Sequence, residues 1–498
     1  MKNEFLILKN GVSAPLQELP VLTMAQFRET VLRGIASDGL RIGALFVWDD
    51  PAGTSRLVAV LGDPAAHQFR LTSGVLEGKS YPSLTAECPA FHWFEREIRE
   101  QTGIVPEGHP WLKPIRFENG AAPGVTEYFP LEGKAAHEVA VGPVHAGVIE
   151  PGHFRFQCLG EQVQFLEIEL GYQHRGLDHL LTGGPETRTP HWIETAAGDS
   201  SVAAACVYGT LLRSMAENLP PEPPEAPLWR AVMLELERIA NHVGDLGALA
   251  GDVAFLPTAS YCGRIRGDYL NLTASLCGNR FGRSLWTPRG AALAIPAAAA
   301  ATVRSRIDEL EKQLNNALEL MFDAPSVLDR FENTGSVSRE DASALGLVGA
   351  AARACGCKMD ARRDFPLPET DLLTEIPTGT RGDVFDRADI RRKEIAISHS
   401  RIRMLLEKIR EDLPAAEESW KAPALQSLRI GAAVTESWRG ELWHVALTDE
   451  KGKFQRYKIV DPSFHNWAGL AMALRGAQIS DFPICNKSFN LSYCGHDL

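Results

Sequence analysis

The nine cysteines offer the richest chemistry in this chain of 498 residues, and their spacing limits what they can do. They are Cys88, Cys158, Cys206, Cys262, Cys277, Cys355, Cys357, Cys485 and Cys494. No Cys-x-x-Cys occurs, so no two thiols share the spacing that commonly grips one metal. An odd, scattered set argues against a disulfide framework and for a reducing compartment. Cys355-Gly-Cys357 lies near Lys358 and Arg362. Without further ligands close by, it reads as two reduced, solvent-accessible thiols. His191 beside Trp192 and His465 beside Asn466 and Trp467 are of a type that moves protons, yet packing is the reading their neighbours support. No Gly-x-Ser-x-Gly surrounds a serine nucleophile. No Gly-x-Gly-x-x-Gly or phosphate loop is present, so a direct nucleotide site is unsupported. Arg391, Arg392, Lys393, Arg401 and Arg403 share a predicted helix with Asp389 and Glu394 and read as a solvated, salt-paired face.

The elements that position these residues suggest an α+β chain. Its small N-terminal α/β domain precedes a large, mainly α-helical bundle domain with peripheral β-strands. In residues 1–128, Arg41–Trp48 and Arg56–Leu61 read as strands and Ala90–Gln101 as an amphipathic helix ending at Gly103. Residues 129–140 read as a linker and 141–498 as the large domain. There, long helices are expected over Trp192–Leu219, Leu228–Ala250, Tyr261–Leu276, Ala291–Phe322 and Ala388–Arg410, and strands over 431–435, 440–447 and 455–459. Hydrophobic residues make up 45% and charged residues 23%, which excludes disordered, collagen-like and rod-like classes. A net charge of −12 argues against nucleic-acid binding, which needs a concentrated basic face. The N-terminus lacks a signal-peptide pattern, and the apolar run Gly290–Val303 is too short to span a bilayer.

Several stretches carry a resemblance. Phe94-Glu-Arg-Glu97 followed by Thr102 to Pro110 resembles the signature of the small, thirty-kilodalton hydrophilic subunit of respiratory complex I. Four further stretches are similar to the large subunit of membrane-bound NiFe hydrogenases of the formate-hydrogenlyase type, a homologue of the larger partner subunit of complex I. They are Gly142-Pro-Val-His-Ala-Gly147, Glu150-Pro-Gly-His-Phe-Arg155, Leu170-Gly-Tyr-Gln-His-Arg-Gly176 and Glu235 to Asp245. The order, small module then large module, also resembles the fused formate hydrogenlyase large subunit.

The resemblance implies a NiFe centre held by two Cys-x-x-Cys pairs, since soft thiolates suit nickel and low-spin iron. The family's Glu-Arg-x-Cys-Gly-x-Cys falls on Glu194 to Ser200, which puts Ala197 and Ser200 at the first two ligand positions. The family's Asp-Pro-Cys-x-x-Cys is matched to Asp481 to Ser488, putting Cys485 and Ser488 at the other two, with Phe482 interrupting Asp-Pro. A NiFe centre is therefore not expected, and no metal or firmly bound cofactor is. Quinone is the candidate ligand: in complex I a histidine and a tyrosine hold its headgroup. His145 matches the histidine, but no tyrosine lies in Pro190–Ser200, and Tyr208 is too far along. Cofactor contacts implied are His145, His174 and Arg175. Catalytic candidates are Asp199, Ser200 and His145. Ser201, Cys485, Ser488, His496 and Asp497 complete a polar cavity with two equal readings: a buried carboxylate, Asp199, with a raised pKa that relays protons, or a hydrogen-bonded polar core with no catalysis. His174 also reads as a satisfied core histidine.

The function expected is a water-facing subunit of a membrane-bound redox complex, coupling electron transfer to ion translocation at the cytoplasmic face of the cell membrane. Its expected partners are an iron–sulfur small subunit, carrying the cluster, and membrane antiporter-like subunits. The alternatives kept are a quinone-binding, NADH-dehydrogenase-type oxidoreductase subunit with its NAD-linked chemistry, and a purely structural subunit. An active hydrogenase is disfavoured by Ala197 and Ser200. Whether the chain is an enzyme by itself stays open.

Overall fold

A computed structural model describes residues 4–118, 120–144, 150–367 and 375–498. The N-terminal module is built on an antiparallel sheet of β1 (Leu6–Leu8), β3 (Arg41–Asp49), β4 (Ser55–Asp63) and β5 (Gln68–Val75), in the order β1-β5-β4-β3. A short parallel strand, Val21–Leu22, also joins β5. Strand β4 is the most apolar, and its residues Leu57–Leu61 are fully buried, as a central strand covered on both faces requires. Helix α1 (Met24–Ala36) starts with a capping box between Thr23 and Gln26, and α2 (His92–Thr102) ends at Gly103 as expected.

One strand crosses the expected boundary. Strand β2 (Val12–Pro15) leaves the small sheet and pairs antiparallel with β9 (Arg429–Glu436). It completes a four-stranded sheet in the order β11-β10-β9-β2, with β10 (Glu441–Thr448) and β11 (Phe454–Val460). The stretch expected as a linker also differs. Ala136–Val141 forms strand β6, paired with β7 (His153–Leu159), which in turn pairs with β8 (Gln162–Glu169). Its mostly exposed Ala-His-Glu-Val-Ala-Val sequence carries little apolar alternation, so it is a strand because β7 offers it hydrogen bonds.

The large module's core is helical. Helix α5 (Glu225–Asp252) packs against α6 (Leu256–Cys277) and α8 (Val384–Leu406), with α7 (Ala299–Phe322) against α6 and α8. These match the expected helices, but two boundaries move. The expected Ala291–Phe322 helix begins only at Ala299, because Gly290–Ala291 pairs with Trp286–Thr287 and Pro296 precedes the first turn. The expected Trp192–Leu219 helix is two: α3 (Thr189–Glu194) and α4 (Ser201–Met215), parted at Thr195–Ser200. Helical content of 42% and strand content of 20% fit the α+β class. Among the described residues, no helix is long and apolar enough to cross a membrane.

Candidate functional site

The break between α3 and α4 is where the site is built. A helix would use the carbonyls of Thr195–Asp199 internally; here side chains from elsewhere claim those of Thr195, Ala196, Gly198 and Asp199. Arg175 donates to the Thr195 oxygen at 2.6 Å and the Ala196 oxygen at 3.2 Å. Arg283 donates to the Gly198 oxygen at 3.2 Å. The Asp199 oxygen accepts from Asn241 at 2.9 Å and from the Trp438 indole at 3.1 Å. Ala197 and Ser200 are both 2% exposed, inside this loop.

The Asp199 side chain forms a two-pronged ion pair with Arg439, at 2.7 and 2.8 Å. Arg439 comes from the turn between β9 and β10 and lies over the Trp438 ring, 3.9 Å from its centroid. The turn is seated on Gly349, where φ is +64° and an added Cβ would stand 1.9 Å from the Arg439 carbonyl oxygen. Only a glycine lets the two backbones approach so closely.

This geometry corrects the expectation for Asp199. Burial pushes the carboxyl up, but the Arg439 guanidinium outweighs it and holds the group below the ordinary range, so Asp199 is ionised at neutrality. The proton-holding carboxyls lie beside it. Burial pushes Glu237 up to about 8, although its oxygens accept the Val202 and Ala203 amides at the start of α4. Burial likewise pushes Glu194 up to about 7, against the Ser284 amide and Arg283. Glu150, which accepts the Cys494 amide at 3.2 Å, is raised by burial too. Sequence reasoning singled out Glu237 only as a helix position and gave Arg439 no role; neither carries a local signal, since burial and a partner from another element set both.

The other expected residues divide. Arg175 meets the loop and also donates to the Cys494 oxygen at 2.9 Å, tying the loop to the C-terminal segment. His174 packs as a satisfied histidine does: its Nδ1 lies 2.7 Å from the Asp497 carbonyl oxygen. The Asp497 carboxylate accepts the Gly171 and Gln173 amides at 2.8 and 2.9 Å, fixing the same turn. His496 is fully buried against Trp93, with ring centroids 5.2 Å apart. Tyr208 is buried against Tyr457. His145 lies outside the described residues.

Cys485 and Ser488 do not meet the loop through any of their hydrogen bonds. They lie on α9 (Phe482–Phe489), where the Ser488 hydroxyl accepts from Arg387 at 2.8 Å and donates to the Cys485 oxygen at 2.6 Å. The Cys485 thiol faces Gly335, and burial pushes it up to about 12. The chain reaches the loop further on, through Asn490, whose carbonyl accepts from Arg439, and through Cys494. In that segment the Ser492 hydroxyl accepts the Gly495 amide at 2.9 Å.

Two smaller expectations also change. Cys355 is 4% exposed rather than solvent-accessible, because α8 and the Gly382 turn close over it. Two of the five basic residues expected on a solvated face are interior: Arg391 is 3% exposed and pairs with Asp245 at 2.7 Å, and Arg401 is 3% exposed, while Arg392 and Lys393 do pair at the surface with Asp389. His465 is buried and pushed down to about 4, and His191 stacks on Trp420 at 5.1 Å, as packing residues. Among the described residues, no three His, Cys, Asp or Glu side chains gather as a metal-binding group.

Two families match the two modules. The family described as the 30 Kd subunit of respiratory-chain NADH dehydrogenase matches residues 41–136, and that of its 49 Kd subunit matches residues 252–497. The chain thus carries a 30 Kd-type domain followed by a 49 Kd-type domain, an order that fits a fusion of the membrane-bound hydrogenase type. It is similar to formate hydrogenlyase subunit 5 of Escherichia coli, 26% identical over 441 residues that span 83% of this chain and 76% of that one. The carbon monoxide-induced hydrogenase of Rhodospirillum rubrum is 28% identical over 72% of this chain and 98% of its own. NADH-quinone oxidoreductase subunit 4 of Thermus thermophilus is 27% identical over 68% of this chain and 89% of its own.

Proposed function

We propose that the chain is the water-facing arm subunit of a membrane-bound redox complex, at the inner face of the cell membrane, in which the nickel-binding chemistry of hydrogenases has been replaced by an ionic network. The observation that carries this reading is the side-chain set at Thr195–Ser200: an alanine methyl at 197, a serine hydroxyl at 200, and a guanidinium from Arg439 bound to Asp199 between them. Neither a methyl nor a hard hydroxyl substitutes for a thiolate on nickel. The approach of Asn490–Gly495 supports moving the second family pair from Cys485 and Ser488. Asn490-Leu-Ser-Tyr-Cys-Gly495 follows Asp-Pro-Cys-x-x-Cys without interruption, placing Ser492 and Gly495 at the ligand positions. All four positions then lack thiols, and the residues present do not fit a NiFe centre.

What remains is responsive to charge. An ionised Asp199 on Arg439 lies beside Glu237 and Glu194, which hold protons near neutrality. A redox change in an iron–sulfur partner docked at this loop would shift those protons, and that shift is the step offered for coupling to ion-translocating membrane subunits. The test is metal analysis of the chain purified with its partner, alongside binding of a quinone analogue to wild type and His145→Ala. Absence of stoichiometric nickel is expected; nickel at one per chain would overturn the reading. Quinone-analogue binding lost in His145→Ala would assign the chain to the quinone-reducing type, and no binding would leave the ionic network as its working part.

A further inference from the structure

A cavity of about 610 Å3 lies where the two modules meet, within the size range of small-molecule sites. One side is formed by the end of β2 and the β3–β4 hairpin, the other by Glu217 just past α4 and the segment leading into β9. Its charged groups divide into one closed pair and two open ones. Arg56 binds one oxygen of Asp50, whose other oxygen accepts the Ala52 and Thr54 amides, both at 2.9 Å. Arg429 pairs with no carboxylate among the described residues. Its Nη2 donates to the Ser13 carbonyl oxygen at 2.6 Å and hydroxyl at 3.1 Å, and its Nε is buried without a partner. Glu217, which is exposed, pairs with no cation among the described residues, Arg429 included. The backbones that carry the two are fixed. The Arg429 amide donates to the Thr448 hydroxyl at 2.9 Å, and the Glu217 amide to the Ala424 oxygen at 3.0 Å. Leu16, Trp48, Pro51 and Leu428 supply an apolar wall. Leu428 has a left-handed φ of +51°, held by its amide on the Asp449 oxygen at 3.1 Å and by the Leu16 amide on its carbonyl at 2.8 Å. Backbone strain of this kind clusters at ligand sites.

One cation and one anion, held apart in the same cavity and each without an opposite partner, suit a ligand that carries both charges. A guanidinium fork matches carboxylate oxygens, and a carboxylate matches an ammonium group. Apolar surface beside them suits a hydrocarbon or aromatic side chain. We propose that this cavity binds a free α-amino acid with an apolar side chain. Its carboxylate lies on Arg429, its ammonium on Glu217 and its side chain against Trp48 and Pro51. Because both modules wall the cavity, the bound amino acid bridges them.

The test is isothermal titration of the full chain with L-leucine and L-phenylalanine. Saturable binding of at least one of them, at one per chain, is expected. Its deaminated and decarboxylated analogues, each lacking one of the two charges, should bind at least tenfold more weakly. Glu217→Gln and Arg429→Gln should each weaken binding of the amino acid at least tenfold. Circular dichroism checks that both variants fold. Should Arg429→Gln fail to fold, Glu217→Gln decides, because the Glu217 side chain holds no other element in place. Saturable binding of neither amino acid, an analogue binding within twofold of its parent, or affinity within twofold of wild type in a folded variant would overturn the proposal and leave the redox-arm reading untouched.

Discussion

At the scale of residues, one ion pair sets the charge of the site. Asp199 is about one-third exposed and Arg439 almost wholly buried, so the pair sits between a surface and an interior salt bridge. Removing Arg439 leaves Asp199 uncompensated, but water reaches it. Arg439→Gln should therefore cost about 2–4 kcal/mol, under the 3–5 kcal/mol expected for fully buried pairs. The shift of the urea midpoint measures it. Because Asp199 is held below its unfolded value, its contribution is present at neutral pH and is lost as pH falls below that unfolded value. Glu237 behaves oppositely. Its folded form keeps a proton up to about 8, whereas an unfolded glutamate loses it near 4.5, so stability should fall as pH rises between those limits. Glu237→Gln should flatten that slope in melting temperatures taken from pH 5 to 8; an unchanged slope would assign the dependence to other groups.

At the scale of elements, two contacts hold the site's framework. The β9–β10 turn that delivers Arg439 rests on Gly349. Gly349→Ala introduces both a left-handed alanine, at about 1–2 kcal/mol, and a clash with the Arg439 backbone. It should lower the melting temperature and move Asp199 titration back toward its ordinary value, read by carboxyl NMR or infrared spectroscopy. The N-terminal segment is pinned by Asn10. Its side chain donates to the Phe365 and Val434 oxygens at 2.9 and 3.0 Å and accepts the Val434 amide at 3.1 Å. Asn10→Ala should cost about 2–3 kcal/mol at about 1 kcal/mol per hydrogen bond, measured as a lower denaturant midpoint with unchanged slope. The long helices of the large module, α2, and strands β3, β4, β9, β10 and β11 were legible from apolar periodicity, whereas α1 was not read. Strand β6 and the α3–α4 break were not, because a weak edge strand and an interrupted helix are both decided by distant hydrogen-bond partners.

At the scale of the molecule, the modules share one interior. Lys458 of β11, 1% exposed, pairs with Glu97 of α2 and, at 3.4 Å, with Asp178. Arg41 of β3 reaches Asp364 at 2.7 Å. Phe69 packs on Trp443 with centroids 4.7 Å apart. A small, polar interface would let the modules unfold separately; a continuous core should not. The full chain is expected to unfold in one transition, with coincident far-ultraviolet dichroism and tryptophan fluorescence; two separated transitions would show independent modules.

The sequence by itself determined the α+β class, the order of the two modules, most helices, and the lack of thiols at Ala197 and Ser200, because these depend on local periodicity and residue type. The tertiary structure alone decided which charges those positions meet. Asp199 is ionised because Arg439 arrives from 240 residues away, Glu237 keeps its proton because burial outweighs the two amide hydrogen bonds it accepts, and Cys485 sits on α9, which packs on α5 and α8. Protonation follows from burial and the nearest opposite charge, and both are properties of the packed chain rather than of any one stretch of it.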